Sequence, residues 1–245
     1  MEIEGRRILI TGASRGLGRA LAFAFAKAGA SEVLAGVRRP EDVALLENEA
    51  AAMEAPITPI KLDVTIEADV SAVAELGFVD ILVNNAGVAG YGNPLNMNFA
   101  DAAREMDVNY FGALRMVRAL APAMIERGEG MIVNVATAFA KVSLPIVGTY
   151  CASKAALLSL GQALRAYLSD KGVQVMTVMP TTIDTDMSKG ADVPKMTVDF
   201  VASEILRHIR EETNDPPIGE EAEGILDGLR KDPLAMEKMF GQIRA

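Results

Sequence analysis

Tryptophan is absent from this chain, and cysteine and histidine each occur once in its 245 residues. A lone Cys151 cannot close an internal disulfide, which fits a reducing compartment. It is expected to be a small packed thiol. One Cys and one His leave no tetrahedral zinc set, so no metal site is expected. The single imidazole, His208, falls in a polar helical stretch and is expected to be exposed; nothing around it suggests a Ser-His-Asp hydrolase. Aromatics make up only 5% of the chain, so the core must be built from Ala, Val, Leu, Ile and Met. Positive charge is the minority: 24 Lys and Arg against 33 Asp and Glu give a net charge of −9. Binding a phosphate backbone takes a basic face, so no nucleic-acid partner is expected. No apolar run approaches the ~18 residues of a membrane helix. The run at residues 8–10 stops at Thr11-Gly12, too early for a signal peptide. Linkers and repeats are also missing. The expectation is one cytoplasmic domain over residues 1–245, without a membrane partner.

What is present is an alternation. Short runs rich in Val, Ile and Leu at residues 8–10, 32–37, 57–61, 79–84, 131–135 and 173–178 read as strands. The runs around Ile81 and Val133 are continuously apolar, as strands covered on both faces tend to be. Between the runs, residues 17–28, 41–52, 67–75, 100–127 and 150–169 have helical composition and length. Alternating strand and helix predicts an α/β fold, a Rossmann-type doubly wound parallel sheet with helices on both faces. Residues 181–200 are polar and interrupted by Gly and Pro, which suggests a substrate loop or lid. A helix is expected at 197–210 and two short ones in a tail at 216–245, with no convincing last strand there.

After the first strand comes Thr11-Gly12-Ala13-Ser14-Arg15-Gly16-Leu17-Gly18. Glycines let a backbone approach closely, and the helix that follows presents free N–H groups to an anion. A glycine triplet alone can be an ordinary tight turn; in this place it favours a dinucleotide. At the end of the second strand, where an acidic residue would hold a ribose 2′-hydroxyl, stand Val37, Arg38 and Arg39. With Arg15 they favour a 2′-phosphate, and so NADP(H) over NAD(H); the alternative is a solvated basic loop.

Further along, Tyr150-Cys151-Ala152-Ser153-Lys154 places a phenol and an ammonium four residues apart, on one face of a helix. A cation beside a phenol favours the phenolate, which gives a proton donor or acceptor usable near neutral pH. Taken alone, Tyr150 can equally be an amphipathic core residue and Lys154 a solvated charge.

The glycine turn, Asp63-Val64, Asn84-Asn85-Ala86-Gly87, Asn109, Tyr150 with Lys154, and Pro180 with Thr185 occur in one order from Arg7 to about Arg210. On these residues the chain resembles the short-chain dehydrogenases/reductases. The resemblance implies a cofactor lying on Gly12, Ser14, Arg15, Gly16, Leu17, Gly18 and Arg38, with Asp63 and Val64 against its adenine. Asn85, Ala86 and Gly87 would line it further along. Pro180, Ile183 and Thr185 would flank the nicotinamide, with the last two on its carboxamide. It further implies that Lys154 bonds the nicotinamide ribose and depresses the Tyr150 pKa, that Tyr150 exchanges the proton with the substrate oxygen, and that Asn109 holds a water in a proton relay. The family's catalytic serine position is occupied here by Thr137, which keeps the hydroxyl but adds a methyl and a stiffer χ1. Pro180-Thr181 replaces the usual Pro-Gly.

By position relative to these motifs, Val88, Tyr91, Phe139, Val142, Leu144, Pro145 and Met187 are expected to wall a mainly apolar substrate pocket. The reading is an NADP(H)-dependent carbonyl reductase or alcohol dehydrogenase acting on a small molecule. A homodimer or homotetramer packed through the helices carrying Asn109 and Tyr150 is expected, as is common in the family. Two alternatives stay open: an NADP-binding redox-sensing regulator, and an epimerase or dehydratase using the same dyad.

Overall fold

A computed structural model describes residues 1–243; the last two residues of the expected tail lie outside the described residues. In chain order the elements are β1 (Arg7–Thr11), α1 (Gly16–Lys27), β2 (Glu32–Val37), α2 (Pro40–Ala52), β3 (Ile57–Lys61), α3 (Glu67–Ala74) and β4 (Ile81–Asn84). They continue with α4 (Phe99–Met106), α5 (Ala113–Arg127), β5 (Gly130–Val135), α6 (Gly148–Leu168), β6 (Val173–Pro180) and α7 (Val198–Glu211). The described chain closes with β7 (Pro217–Ile218), α8 (Glu220–Lys231) and α9 (Pro233–Phe240). The strands form one seven-stranded sheet in the order β3-β2-β1-β4-β5-β6-β7, all pairs parallel. This is the Rossmann-type doubly wound arrangement that the alternation predicts.

Side chains alternate across the sheet, so neighbours in one strand serve opposite layers. Ile8 and Ile10 join Leu17, Leu21 and Phe25 of α1 and Val201, Ile205 and Ile209 of α7. Leu9 between them faces the other way, with Leu82, Ile132 and Val175, against Val70 of α3 and Met116, Leu120 and Met124 of α5. Both faces are therefore dry, and the strands read as unbroken apolar runs for that reason. Strand order reverses between β1 and β4, and the crevice outside the carboxyl ends of those strands is where such sheets take ligands.

Three expectations are corrected. The tail does contain a strand: β7 pairs with β6 through Met179–Pro217 and Pro180–Ile218. It is two residues long and proline-flanked, which an edge strand tolerates but a pattern search misses. The helix expected at 100–127 is continuous but not uniform, because Asp107–Gly112 is a π-helical turn between α4 and α5; such insertions recur at functional sites. His208 is buried rather than exposed, with 9% of its surface accessible. Its ring lies between Thr213 Oγ1 at Nδ1 and Arg207 at Nε2, both 2.9 Å away. Burial, then Arg207, lowers its pKa. Among the described residues no helix is long and apolar enough to cross a membrane.

Candidate active site

At the reversal point the glycine turn is laced to the end of β4. Thr11 Oγ1 accepts from the N–H groups of Asn85 (3.0 Å) and Ala86 (2.9 Å), and Asn85 Nδ2 donates back to the carbonyls of Thr11 and Gly12. Gly12 has φ +69°, and a Cβ there would sit 2.9 Å from the Ala86 Cα. A Cβ on Gly18 would lie 2.2 Å from the Gly12 carbonyl oxygen. The turn is thus closed to side chains and presents backbone. No side chain caps α1, and its first turn holds no acidic residue, so its N–H groups and positive dipole end are free for an anion.

These residues open on a cleft of about 1210 Å³, ample for a dinucleotide. Gly12, Ser14, Arg15, Gly16, Leu17 and Gly18 line it together with Arg38, Asp63, Val64, Asn85, Ala86 and Gly87. Not all of their side chains are free. Arg15 Nη1 meets Asp186 Oδ2 at 2.9 Å across the cleft mouth. Arg39 forks onto Asp42 at 3.0 and 2.7 Å. Asp63 Oδ1 accepts from the Thr65 N–H and hydroxyl, capping its own turn.

Further in, Thr137, Tyr150, Lys154, Pro180, Ile183 and Thr185 line the same cleft. Lys154 is 4% exposed and donates to the Val135 carbonyl at 2.8 Å; burial lowers its pKa to about 8. Its Nζ stands 5.9 Å from the centre of the Tyr150 ring. The expected depression of the Tyr150 pKa is reversed in this geometry. Burial raises it, followed by the charges of Cys151, Tyr91 and Glu105, while the Lys154 ammonium is turned to the Val135 carbonyl. Thr137 Oγ1 donates to the Pro180 carbonyl at 2.9 Å and accepts from the Phe139 N–H, so its proton is already committed across β5 and β6.

Asn109 does not line the cleft; it lies directly beneath. From the π turn its Oδ1 accepts from the Val88 N–H, and its Nδ2 donates to the Val88 carbonyl and to Ser153 Oγ, at 2.8–2.9 Å. Ser153 in turn donates to the Tyr150 carbonyl, so Asn109 ties the loop after β4 to α6. The expected walls Val88, Tyr91, Phe139, Leu144 and Met187 face the cleft, and the Tyr91 hydroxyl donates to the Met187 carbonyl at 2.9 Å. Val142 does not: it is packed into a satellite core with Ala138, Ala222, Ile225 and Phe240. Pro145 is also off the wall, starting a short 3-10 turn whose next residues, Ile146 and Val147, line the cleft instead.

Sequence reasoning missed the contribution of the tail. Glu221 of α8, Phe240 at the end of α9 and Ile243 reach the cleft. Phe240 meets Phe139 edge to face, ring centres 5.6 Å apart at 81°. The apolar spacing Met236–Phe240 marked a helix face, but nothing local says what that face covers. Glu105, beneath the cleft, was missed as well.

The sheet, the reversal point and the glycine cradle define a nucleotide-binding α/β protein. A family model described as short chain dehydrogenase matches residues 6–194, and the chain belongs to that family of oxidoreductases. A short chain dehydrogenase from Burkholderia cenocepacia, solved in complex with NADP, superposes with a TM-score of 0.91 at 35% identity, covering 98% of this chain and 99% of that one. A gluconate 5-dehydrogenase from the same organism, in complex with NADP and tartrate, gives 0.84 at 26% identity over 90% and 96%. An Anopheles gambiae dehydrogenase/reductase SDR family protein 7-like is 37% identical over 77% of this chain and 62% of its own length. An NADP-dependent 3-hydroxy acid dehydrogenase of Schizosaccharomyces pombe is 32% identical over 76% and 74%. The match thus spans about three-fifths of the first curated relatives' length.

Proposed function

We propose that this protein is an NADP(H)-dependent carbonyl reductase or alcohol dehydrogenase, with Tyr150 as the proton-transferring group. The observation that carries the reading is that Tyr150 and Lys154, one helical turn apart, open into the same cleft as the glycine cradle. A nicotinamide dinucleotide bound there supplies or accepts the hydride. Gly12 to Gly18 and the start of α1 hold its phosphates, and Lys154, next to Gly87, holds its ribose end. The half-buried Tyr150 phenol keeps its proton at neutral pH, which suits donation to a carbonyl oxygen during reduction. Lys154, with its pKa near 8, takes up or releases a proton within the working range. Thr137 steadies the substrate oxygen once its hydroxyl leaves Pro180.

Arg38 and Arg15 support NADP(H) over NAD(H), as do the NADP complexes and the NADP-dependent relative named above. The walls formed by Val88, Tyr91, Phe139, Leu144 and Phe240 favour an apolar or aromatic carbonyl compound. Residues 181–200 serve as the lid, with its base tied by the Ile183–Met196 bridge. Exposed Leu95, Phe99 and Tyr167 support assembly into a homo-oligomer. The whole chain is read as one catalytic domain.

The test is NADPH and NADH consumption over a diverse carbonyl library, beside Tyr150→Phe. The variant should lose about 100-fold or more in turnover while binding NADPH within a few-fold of the parent. Substantial residual turnover removes Tyr150 from its role, and tighter use of NADH overturns the cofactor preference.

A further inference from the structure

Among the described residues three carboxyl side chains are buried, and two of them have a guanidinium partner. Asp42 meets Arg39, and Asp80 meets Arg127 and Arg6. Glu105, only 1% exposed, has no cation against it among the described residues. Its Oε1 accepts from the Gly90 N–H at 2.6 Å, and its Oε2 is buried without any hydrogen bond. A buried, unneutralised charge is costly, and an amide or hydroxyl could serve Gly90 equally well. An unsatisfied group of this kind calls for an explanation beyond folding.

Its place supplies one. Glu105 and Asn109 are four residues apart on the helix that runs beneath the cleft floor. Asn109 clamps Val88 from both sides, and Glu105 catches Gly90 two residues on. The next residue is Tyr91, which lines the cleft and bonds the Met187 carbonyl in the lid segment. Met97 fills the space a Cβ on Gly90 would need, and its sulfur accepts from the hydroxyl of Thr149, the neighbour of Tyr150. The loop after β4, α4 and the start of α6 therefore close around Glu105.

We propose that Glu105 is a positioning residue of the active site, its carboxyl fixing the Gly90–Tyr91 backbone that walls the substrate. The proposal rests on the oxidoreductase reading above. On the Glu105 helix, Arg104 is exposed and Asp107 is held by Arg115. The hold on Gly90 thus sets where the Tyr91 side of the wall stands over the cleft.

Glu105→Gln keeps an acceptor for Gly90, and Glu105→Leu removes it. Three readouts are taken on the full chain: amide exchange over residues 88–91, and KM and kcat for the best carbonyl found in the library screen. Only Glu105→Leu should speed exchange, about 10-fold, and raise KM several-fold. A Glu105→Gln variant that loses as much as Glu105→Leu overturns the role of the Gly90 bond. Parent-like exchange and KM in Glu105→Leu overturn the positioning role. If the parent shows no NADP-linked turnover, or Tyr150→Phe retains it, the oxidoreductase reading has failed, while amide exchange still judges the hold on Gly90.

Discussion

The glycine-turn end of the cleft is built from backbone, and the apolar end from side chains carried by separate segments. At the first, Thr11, Gly12, Asn85 and Ala86 bond one another between two adjacent parallel strands, with no room for a methyl group at Gly18. At the second, the wall draws on the loop after β4, the turns after β5, the segment after β6 and the tail. It is held by isolated tethers such as Tyr91 to Met187 and Phe139 to Phe240. A backbone cradle on a buried sheet has one shape and suits a ligand part that does not vary. A wall of side chains on loops can change one residue at a time without disturbing the sheet, which suits the part that sets specificity.

The contrast can be broken at several points. The largest effect is expected at the backbone end: Gly18→Ala forces a Cβ onto the Gly12 carbonyl oxygen, an overpacking cost of 1–3 kcal/mol. NADPH affinity should fall about 100-fold by titration calorimetry, with thermal stability less affected; parent-like affinity would show that the turn is not the cradle. At the other end, Phe240→Ala should raise KM for an apolar carbonyl about 10-fold while NADPH affinity stays within twofold. Equal loss of both would merge the two ends into one unit.

Lys154, between them, gives a pH signature. Its folded pKa of about 8 lies below the ordinary 10.5, so the unfolded chain binds more protons between those values and stability rises with pH there. The contribution is fully present above the upper value and is lost as pH falls through about 8. In the protein without cofactor, Lys154→Met should therefore flatten the rise in melting temperature from about pH 8 to 9.5, a difference of about 3 °C. An unchanged slope would mean that Lys154 is not buried as a cation. The smallest effect is expected at the exposed Arg15–Asp186 pair, worth under about 1 kcal/mol. Asp186→Asn frees the guanidinium and should tighten NADPH binding two- to threefold at low salt, fading as salt is raised; weaker binding would show that Asp186 helps the cofactor rather than competing for Arg15.

Much of the fold was legible in the chain, because strands buried on both faces must be apolar throughout and the helices between them carry their own periodicity. The order of glycine turn, Asn85-Ala86-Gly87, Tyr150 and Lys154 was legible for the same local reason, and the fold brings those residues to one cleft. Val142 and Pro145 were assigned to the wall by distance along the chain, but packing turned Val142 into a satellite core and carried Pro145 aside. β7 was invisible because two edge residues carry no period. His208 was misjudged because a polar neighbourhood in sequence does not show which helix face is covered.

Local order was enough, then, to give a doubly wound sheet, a glycine cradle and a phenol–ammonium pair, since each is specified by residues a few positions apart. Only the tertiary structure decided what those groups experience. It turned Lys154 to Val135 and reversed the expected Tyr150 shift, committed the Thr137 proton to Pro180, brought Phe240 from the tail against Phe139, and buried Glu105 beneath Gly90. The reason is common to all four: solvation and contact depend on chain segments far apart in sequence, and burial outweighs the charge of a neighbour that faces another way.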